Sequence, residues 1–335
     1  MIRKNILFTF DYELFLGKRS GTVERCLIAP TKQILEILKL HDAKGIFFVD
    51  TTYLLRLKEV AKQHQKAALD YEKVSSQIKE IARTHFICPH IHPHWLNAKY
   101  LEELNQWDLS DITFYRFHNL NEQERAPLFE SSVHIIREIL GNASYPIDAY
   151  RAGGWCIQPF EDFKPSFESY GIHYDFSVLR GMKNFSEAQF YDFENAPPKD
   201  IYEFDQDPTL EKEGGRFREY CISTVSPSPF SKLTEKFLLK YLWKMGDRYS
   251  GDGFSVHVPN AAAEQSSGIE MISVELLNLV KFRIYLRFLQ RNDYMHFISH
   301  PKMLSQHNLS IFGKFMKKIY STYEIETNYH NMIAV

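Results

Sequence analysis

His90, His92 and His94 lie within five residues of one another. Imidazole is the commonest protein ligand for a transition metal, and burial alone gives no reason to place three rings so close together. The segment therefore predicts a metal site whose other ligands come from elsewhere in the chain. Asp11 and Glu13 are the first source, because residues two apart on an extended segment face the same side.

Further polar residues follow apolar, strand-like segments later in the chain. Arg151 and Asp175 each come directly after a tyrosine, and His300 follows the apolar run 295–299. In parallel α/β folds, functional groups collect at the carboxyl ends of the strands. Two carboxylates, two or three imidazoles, an arginine and a late histidine at that edge predict a metal-assisted hydrolase.

Alternating strands and helices must position these residues. Segment 5–10 is apolar on both faces, as buried parallel strands are, and 45–49 is the next buried strand. The 30–40 segment between them has the apolar stripe of a helix. The 53–84 segment is long, polar and rich in helix formers, which predicts helix over the outside of the fold. Segment 85–88 then leads a third strand into the histidines. This alternation predicts a parallel α/β arrangement.

The composition fits one domain spanning residues 1–335. Apolar residues make up 44% of the chain, and 26 Phe and 19 Tyr supply a large core. The 40 basic and 42 acidic residues give a net charge of −2, so there is no electrostatic case for nucleic acid or an anionic membrane as partner. The four cysteines are scattered without a C-x-x-C pair, which indicates reduced thiols.

The amino-terminal segment lacks the features of an export signal, since only a handful of apolar residues precede Asp11. Nothing later in the sequence approaches the ~18 consecutive apolar residues that a membrane span requires. We therefore expect no transmembrane segment and a cytoplasmic location.

The motifs resemble those of the polysaccharide deacetylases with the NodB homology domain, carbohydrate esterase family 4. Segment 9–13 is similar to the family's opening Thr-Phe-Asp-Asp, and His90 with His94 is similar to its H-x-x-x-H. Segment 151–155 is similar to its arginine motif, while Asp175 and His300 correspond to its fourth and fifth motifs. The resemblance spans residues 9 to 301. It implies a distorted (β/α) barrel, to which residues 53–84 would add a peripheral helical insertion.

The resemblance implies a divalent metal, zinc being expected, held by two histidines and a carboxylate. The family's second aspartate is replaced by Tyr12, and side-chain alternation then nominates Glu13 as the acidic ligand. The expected imidazole ligands are His90 and His94. His92 is the alternative, because it shares a strand face with His90.

The resemblance also implies catalytic roles. Asp11 would act as general base, and Arg151 would orient its carboxylate through a bidentate hydrogen bond. His300 would protonate the leaving group, a role for which His296 competes. The substrate-binding residues would include Trp155, as an apolar wall for the acetyl group or sugar ring, and Asp175.

The expected substrate is an N-acetylated amino sugar or glycan precursor, linked to a nucleotide or a lipid if the protein is cytoplasmic. Two other functions stay open. The altered first motif fits a non-catalytic carbohydrate-binding member of the same fold. The His90-x-His92 pattern also fits a metal-dependent phosphoesterase, although such enzymes usually recruit more ligands for two or three metals.

Overall fold

The computed structural model describes residues 2–186, 188–244, 246–254 and 268–333. The strands in these ranges are β1 (Arg3–Tyr12), β2 (Gly45–Asp50), β3 (Phe86–Ile91), β4 (Lys99–Leu101), β5 (Gln106–Asp108), β6 (Ala149–Ala152), β7 (Tyr174–Asp175), β8 (Lys183–Phe185), β9 (Phe190–Asp192), β10 (Ile201–Phe204), β11 (Phe217–Tyr220), β12 (Thr224–Val225), β13 (Glu270–Met271), β14 (Tyr294–Ser299) and β15 (Glu324–Glu326). The α-helices are α1 (Ala29–Lys39), α2 (Thr51–Val60), α3 (Gln65–Ile81), α4 (Glu122–Leu140), α5 (Lys164–Tyr170), α6 (Pro229–Lys244), α7 (Leu279–Arg291) and α8 (Gln306–Tyr320).

One large sheet organises the molecule. Its strand order is β10-β11-β7-β6-β3-β2-β1-β14, with β15 paired to the start of β1. The run from β11 through β7, β6, β3, β2 and β1 to β14 is parallel, and β10 pairs with β11 in the antiparallel sense. The carboxyl ends of the parallel strands therefore open on the same side of the sheet.

The sheet curls, and an irregular segment bridges its two sides. Ile222 donates its backbone N–H to the Val178 carbonyl at 2.8 Å, on the β7 side. On the β14 side, the backbone N–H of His296 donates to Ser223 Oγ at 2.9 Å. The result is a half-barrel of parallel strands with helices around it, which confirms the predicted distorted (β/α) barrel.

The residues of β1 show how the strand separates the barrel interior from the helical layer. Leu7 lies in the inner apolar cluster with Phe48 and Phe176, whereas Phe8 and Phe10 lie in the larger outer core. All five side chains are fully buried, as expected for a strand that is covered on both faces.

The 53–84 segment is helical, as predicted, but it forms parts of two helices rather than one. Helices α2 and α3 make the connection between β2 and β3, and they bury Leu54 and Leu57, and Val74 and Ile78, respectively. The predicted helical insertion thus lies in the helical layer of the barrel. Among the described residues, no helix is both long enough and apolar enough to cross a membrane.

Candidate metal centre and active site

Strand β1 carries two carboxylates to the open end of the barrel. Side chains alternate along a strand, so Thr9, Asp11 and Glu13 continue the inward face that begins at Leu7. Tyr12 points the other way, and its hydroxyl donates to Gln77 Oε1 on α3 at 2.8 Å. The barrel interior encloses both carboxylates, since Asp11 is 2% exposed and Glu13 is 4% exposed.

Glu13, His90 and His92 form a buried group that could hold a metal ion. One ligand atom from each residue lies within 4.8 Å of the other two. His92 Nε2 is 2.7 Å and His90 Nε2 is 3.4 Å from Glu13 Oε2, and the two nitrogens are 3.0 Å apart. Two imidazoles and a carboxylate that converge in this way fit a divalent cation such as zinc.

The orientation of His90 suits metal binding. Its Nδ1 is 2.8 Å from the backbone carbonyl oxygen of Arg151, which can only accept a hydrogen bond. Nδ1 therefore carries the proton in the neutral ring, and the Nε2 lone pair faces Glu13 and His92. Gly153 gives His92 its space, because a Cβ at this position would lie 2.9 Å from His92 Nδ1.

His94, predicted as the second imidazole ligand, lies outside this group. Strand β3 ends at Ile91, and the turn Pro93–Asn97 carries His94 to Tyr115. The two rings stack with centroids 5.1 Å apart. Burial lowers the pKa of His94 to about 3. His92, the alternative ligand, is brought to Glu13 instead, because it is two residues from His90 and the chain remains extended between them.

Arg151 holds Asp11 from inside the barrel. Its Nη1 donates to Asp11 Oδ1, while Nη2 donates to Thr9 Oγ1 at 2.8 Å. The predicted bidentate hydrogen bond is therefore wrong, because Thr9 and His296 occupy the second arm of the guanidinium. Burial by itself would raise the pKa of Asp11, but Arg151 and the nearby histidines hold that pKa below its usual value.

His300 faces both carboxylates of β1. Its Nε2 is 3.6 Å from Asp11 Oδ2 and 3.7 Å from Glu13 Oε1. Its Nδ1 is 3.1 Å from Glu275 Oε2. Burial opposes the protonated ring, but the charge and hydrogen bond of Glu275, with the two β1 carboxylates, raise the pKa of His300 to about 9.

The other histidine of this strand, His296, is placed differently. It is fully buried, with Nε2 3.0 Å from both Thr9 Oγ1 and Arg151 Nη2, and Nδ1 3.1 Å from the Cys221 carbonyl oxygen. Burial, reinforced by Arg151, holds the pKa of His296 well below its usual value. His296 is therefore a neutral partner of Arg151, and His300 is the histidine that faces Asp11.

The two predicted substrate-binding residues differ in exposure. Trp155 is half-buried in the turn after β6, with its ring 6.0 Å from that of Tyr191 in an edge contact. Asp175 is fully buried, and its Oδ1 accepts a hydrogen bond from Ser177 Oγ at 2.8 Å. The structure does not bring Asp175 to the open site, because its carboxylate fixes the loop after β7.

Lys302 and Glu275 touch the site but were missed in the sequence. Lys302 Nζ donates to Glu13 Oε1 at 2.8 Å and to the Leu14 carbonyl at 2.6 Å. Burial would raise the pKa of Glu13, but Lys302 and His92 hold it well below its usual value. Lys302 could have been noticed two residues after His300. Glu275 carries no such signal, because it lies in an irregular segment between β13 and α7.

Asp50 was also missed, although it ends β2 beside His90 in the strand register. It accepts hydrogen bonds from the Tyr53 backbone at 3.2 Å and from Trp95 Nε1 at 2.5 Å. Burial and the charge of Glu13 raise its pKa to about 8. The rule that selected Asp11 and His300, a polar residue at the end of a strand, would also have found Asp50.

No protein-family model matches the sequence, and no curated protein matches it either. The fold is similar to that of a proposed polysaccharide deacetylase from Mycobacterium smegmatis, with a TM-score of 0.50 and 14% identity over 96% of this chain and 85% of that one. It is also similar to the 4-alpha-glucanotransferase from Thermococcus litoralis, with a TM-score of 0.50 and 11% identity. That match covers 100% of this chain but 41% of the other, so this chain spans less than half of that enzyme.

At these identities the likeness shows the fold alone. Fold and site together define an α/β barrel with a buried Glu–His–His group that could hold a metal. The likeness to the polysaccharide deacetylase is therefore a likeness of fold.

Proposed function

We propose that this protein is a metal-dependent hydrolase that removes an acetyl group from an N-acetylated amino sugar or glycan precursor. One observation carries the proposal: a carboxylate and an imidazole, each with its own buried partner, face the same three-residue ligand group. Asp11 is held by Arg151, and His300 is held by Glu275. This arrangement supplies a base and an acid beside one candidate metal site.

Glu13, His90 and His92 are the residues that would hold the cation, with zinc as our expectation. When bound, such a cation polarises a carbonyl and acidifies a water molecule. Lys302 remains on the other oxygen of Glu13 and fixes that carboxylate in place. It also offsets part of the negative charge that Asp11 and Glu13 bring into the interior.

Asp11 is suited to take a proton from water. Arg151 engages Oδ1, whereas Oδ2 faces His90 Nε2 at 4.0 Å and His300 Nε2 at 3.6 Å. The free oxygen is therefore the one directed at the site. Because the pKa of Asp11 lies below its usual value, the carboxylate is ionised at neutral pH and ready to accept a proton.

His300 is suited to give a proton to the leaving nitrogen. Glu275 lies on Nδ1, so the Nε2–H of the imidazolium is directed toward Asp11 and the space above it. A pKa of about 9 keeps the ring protonated at neutral pH. Trp155, half-buried beyond Gly153, would supply the apolar wall for the acetyl group or the sugar ring.

The His-x-His pair also fits a metal-dependent phosphoesterase, since His90 and His92 do converge. Phosphoesterases of this type usually bind two or three metals. In the described part of the chain, Glu13, His90 and His92 form one group of three metal-ligand side chains. A single group favours the deacetylase, which needs one cation.

Acetate release from a panel of N-acetylated sugars, measured with zinc-loaded protein, tests the proposal. We expect release by the natural protein and none above background by Glu13→Gln. Glu24→Gln is the matched control, because the Glu24 side chain is 57% exposed and pairs with Lys73 at 3.7 Å, away from the histidines. Sugar binding that survives Glu13→Gln, without acetate release by either protein, would show a carbohydrate-binding protein instead.

A further inference from the structure

Helix α6 exposes several large apolar side chains to solvent. Four of them recur with the spacing i, i+3, i+7 and i+11, which places them on one helix face. The four are Phe230, Leu233, Phe237 and Tyr241, which are 78%, 53%, 67% and 61% exposed, respectively. Exposed apolar patches of this kind mark interaction surfaces.

A different face of α6 packs on the protein. Ser231, Glu235, Leu238 and Leu242 are half-buried along it. Glu235 anchors the helix to α7, because its Oε1 accepts from Asn278 Nδ2 at 2.6 Å and its Oε2 lies 3.1 Å from the ammonium group of Lys281. The exposed apolar stripe is therefore not the face that attaches α6 to the barrel.

The charge of α6 is strongly positive. Its sequence contains four lysines and one glutamate, Glu235, which points inward, although the whole chain has a net charge of −2. Lys236 and Lys240 are exposed and lie beside the apolar stripe. Long lysine side chains can lay their methylene stems along an apolar surface and extend the ammonium group beyond it.

We propose that α6 docks the protein on an anionic lipid surface. Aromatic and leucine side chains flanked by lysines are the composition of interfacial helices, which bury their apolar side chains at the acyl boundary while cations meet the headgroups. A second copy of this chain fits less well. A two-fold symmetric contact through this face would bring the lysines of both copies together.

The carboxyl end of α6 lies beside the candidate active site. Tyr249, shortly after α6, packs its ring 6.1 Å from that of Phe15, two residues beyond Glu13. The next residue, Ser250, donates its backbone N–H to the Leu304 carbonyl at 2.8 Å. A cleft of about 310 Å³ separates Trp243 of α6 from Glu275, the partner of His300.

Docking through α6 would therefore hold the rim of the site near the headgroups. If the proposed deacetylase function is correct, on which this step rests, the substrate class is an acetylated amino sugar anchored in the membrane by a lipid. Docking on a lipid surface thus favours the lipid-linked substrate over the nucleotide-linked one.

Co-sedimentation with vesicles tests the docking surface directly. We expect the natural protein to sediment with vesicles that contain phosphatidylglycerol and to remain in solution with pure phosphatidylcholine. The variants Phe237→Ser/Tyr241→Ser and Lys236→Glu/Lys240→Glu should each lose at least about tenfold in affinity for the anionic vesicles. Circular dichroism would show that both remain folded, since all four side chains are exposed.

Matched controls carry the same changes elsewhere. Leu69→Ser/Leu210→Ser alters side chains that are 52% and 65% exposed, and Lys317→Glu/Lys318→Glu reverses two exposed charges on α8. Both controls should bind as the natural protein does. Equal binding by all variants, or no binding to anionic vesicles, would overturn the proposal. So would a concentration-dependent dimer in ultracentrifugation that Phe237→Ser/Tyr241→Ser abolishes, because the face would then belong to a second copy.

The vesicle assay contains no sugar, so its outcome does not depend on the deacetylase activity. Acetate release from a lipid-linked acetylated sugar in vesicles should fall in the α6 variants, while release from a free acetylated sugar stays unchanged. Absence of release from both substrates, with vesicle binding intact, would contradict the proposed function and leave the docking surface standing. An equal rate on vesicles for the α6 variants would overturn the choice of substrate class.

Discussion

Arg151 accepts a hydrogen bond from His90 Nδ1 through its backbone carbonyl, at 2.8 Å, while its side chain holds Asp11. His90 and Arg151 are register partners on the adjacent parallel strands β3 and β6. The pairing that orients a candidate metal ligand thus also positions the partner of the candidate base. A substitution at Arg151 would therefore remove the partner of Asp11 and leave the backbone acceptor of His90 in place.

The metal ligands can be tested by replacing His92 and His94 with alanine, one at a time. His92→Ala should lower zinc affinity by about 100-fold or more, because Nε2 of His92 converges with His90 and Glu13. His94→Ala should keep the metal, since its ring stacks on Tyr115 outside the group. Elemental analysis and competitive zinc titration measure both. A zinc site that survives His92→Ala and is lost in His94→Ala would contradict the assignment.

Asp11→Asn tests the general base. The amide preserves the shape of the side chain but cannot accept a proton from water, so kcat should fall by at least ~100-fold while zinc content is retained. The Arg151–Asp11 ion pair is buried, so some loss of melting temperature is also expected. Activity that falls only in proportion to the unfolded fraction would indicate a purely structural Asp11.

Arg151→Lys provides the matched test of orientation. A lysine cannot reach Asp11 Oδ1, Thr9 Oγ1 and the Phe176 carbonyl at once, as the guanidinium does. We expect kcat to fall while KM changes little, because the loss affects the base and not the sugar contacts. Natural kcat in a folded Arg151→Lys protein would show that the orientation of Asp11 does not matter.

The pair of Glu275 and His300 predicts a pH dependence of the rate. The general acid must be protonated, so activity should decline as the pH rises through the pKa of His300, at about 9 in the structure described here. Glu275→Gln removes the charge that raises this pKa, and the alkaline limb of the kcat profile should move to lower pH. An unchanged limb in Glu275→Gln would mean that another group supplies the proton.

Asp175 and Glu219 predict a pH dependence of stability that is independent of any metal. They are register partners on β7 and β11, and both are fully buried. Burial, with the neighbouring Asp175 carboxylate, raises the pKa of Glu219 well above its usual value. The folded protein therefore keeps a proton that the unfolded chain releases. This contribution is complete below about pH 4 and is lost as the pH rises toward the folded pKa.

Glu219→Gln should remove this contribution to the pH dependence, because an amide N–H can donate to Asp175 without titrating. Glu219→Ala should instead lower stability by about 1–3 kcal/mol, since it leaves the Val178 backbone N–H without its acceptor. Melting temperatures measured between about pH 5 and about pH 8 would distinguish the two. Parallel pH profiles for the natural protein and Glu219→Gln would show that the pH dependence of stability does not come from a proton retained on Glu219.

Local sequence patterns were sufficient to predict which strands bring polar residues to the open end of the barrel. The apolar runs before Asp11, His90 and His300 are strands, and each delivers its polar residue to the open end of the barrel. These assignments rest on periodicity and on the common direction of parallel strands, both of which are visible in a few consecutive residues.

The sequence by itself thus determined the barrel and the strand ends that supply its candidate site residues. Tertiary structure decided which atoms meet: His92 rather than His94 beside Glu13, Thr9 on the second arm of Arg151, and Glu275 behind His300. The choice between the two histidines depends on where β3 ends and the chain turns at Pro93. The other contacts join segments far apart in sequence, and the curvature of the sheet, rather than any local pattern, brings them within hydrogen-bonding distance.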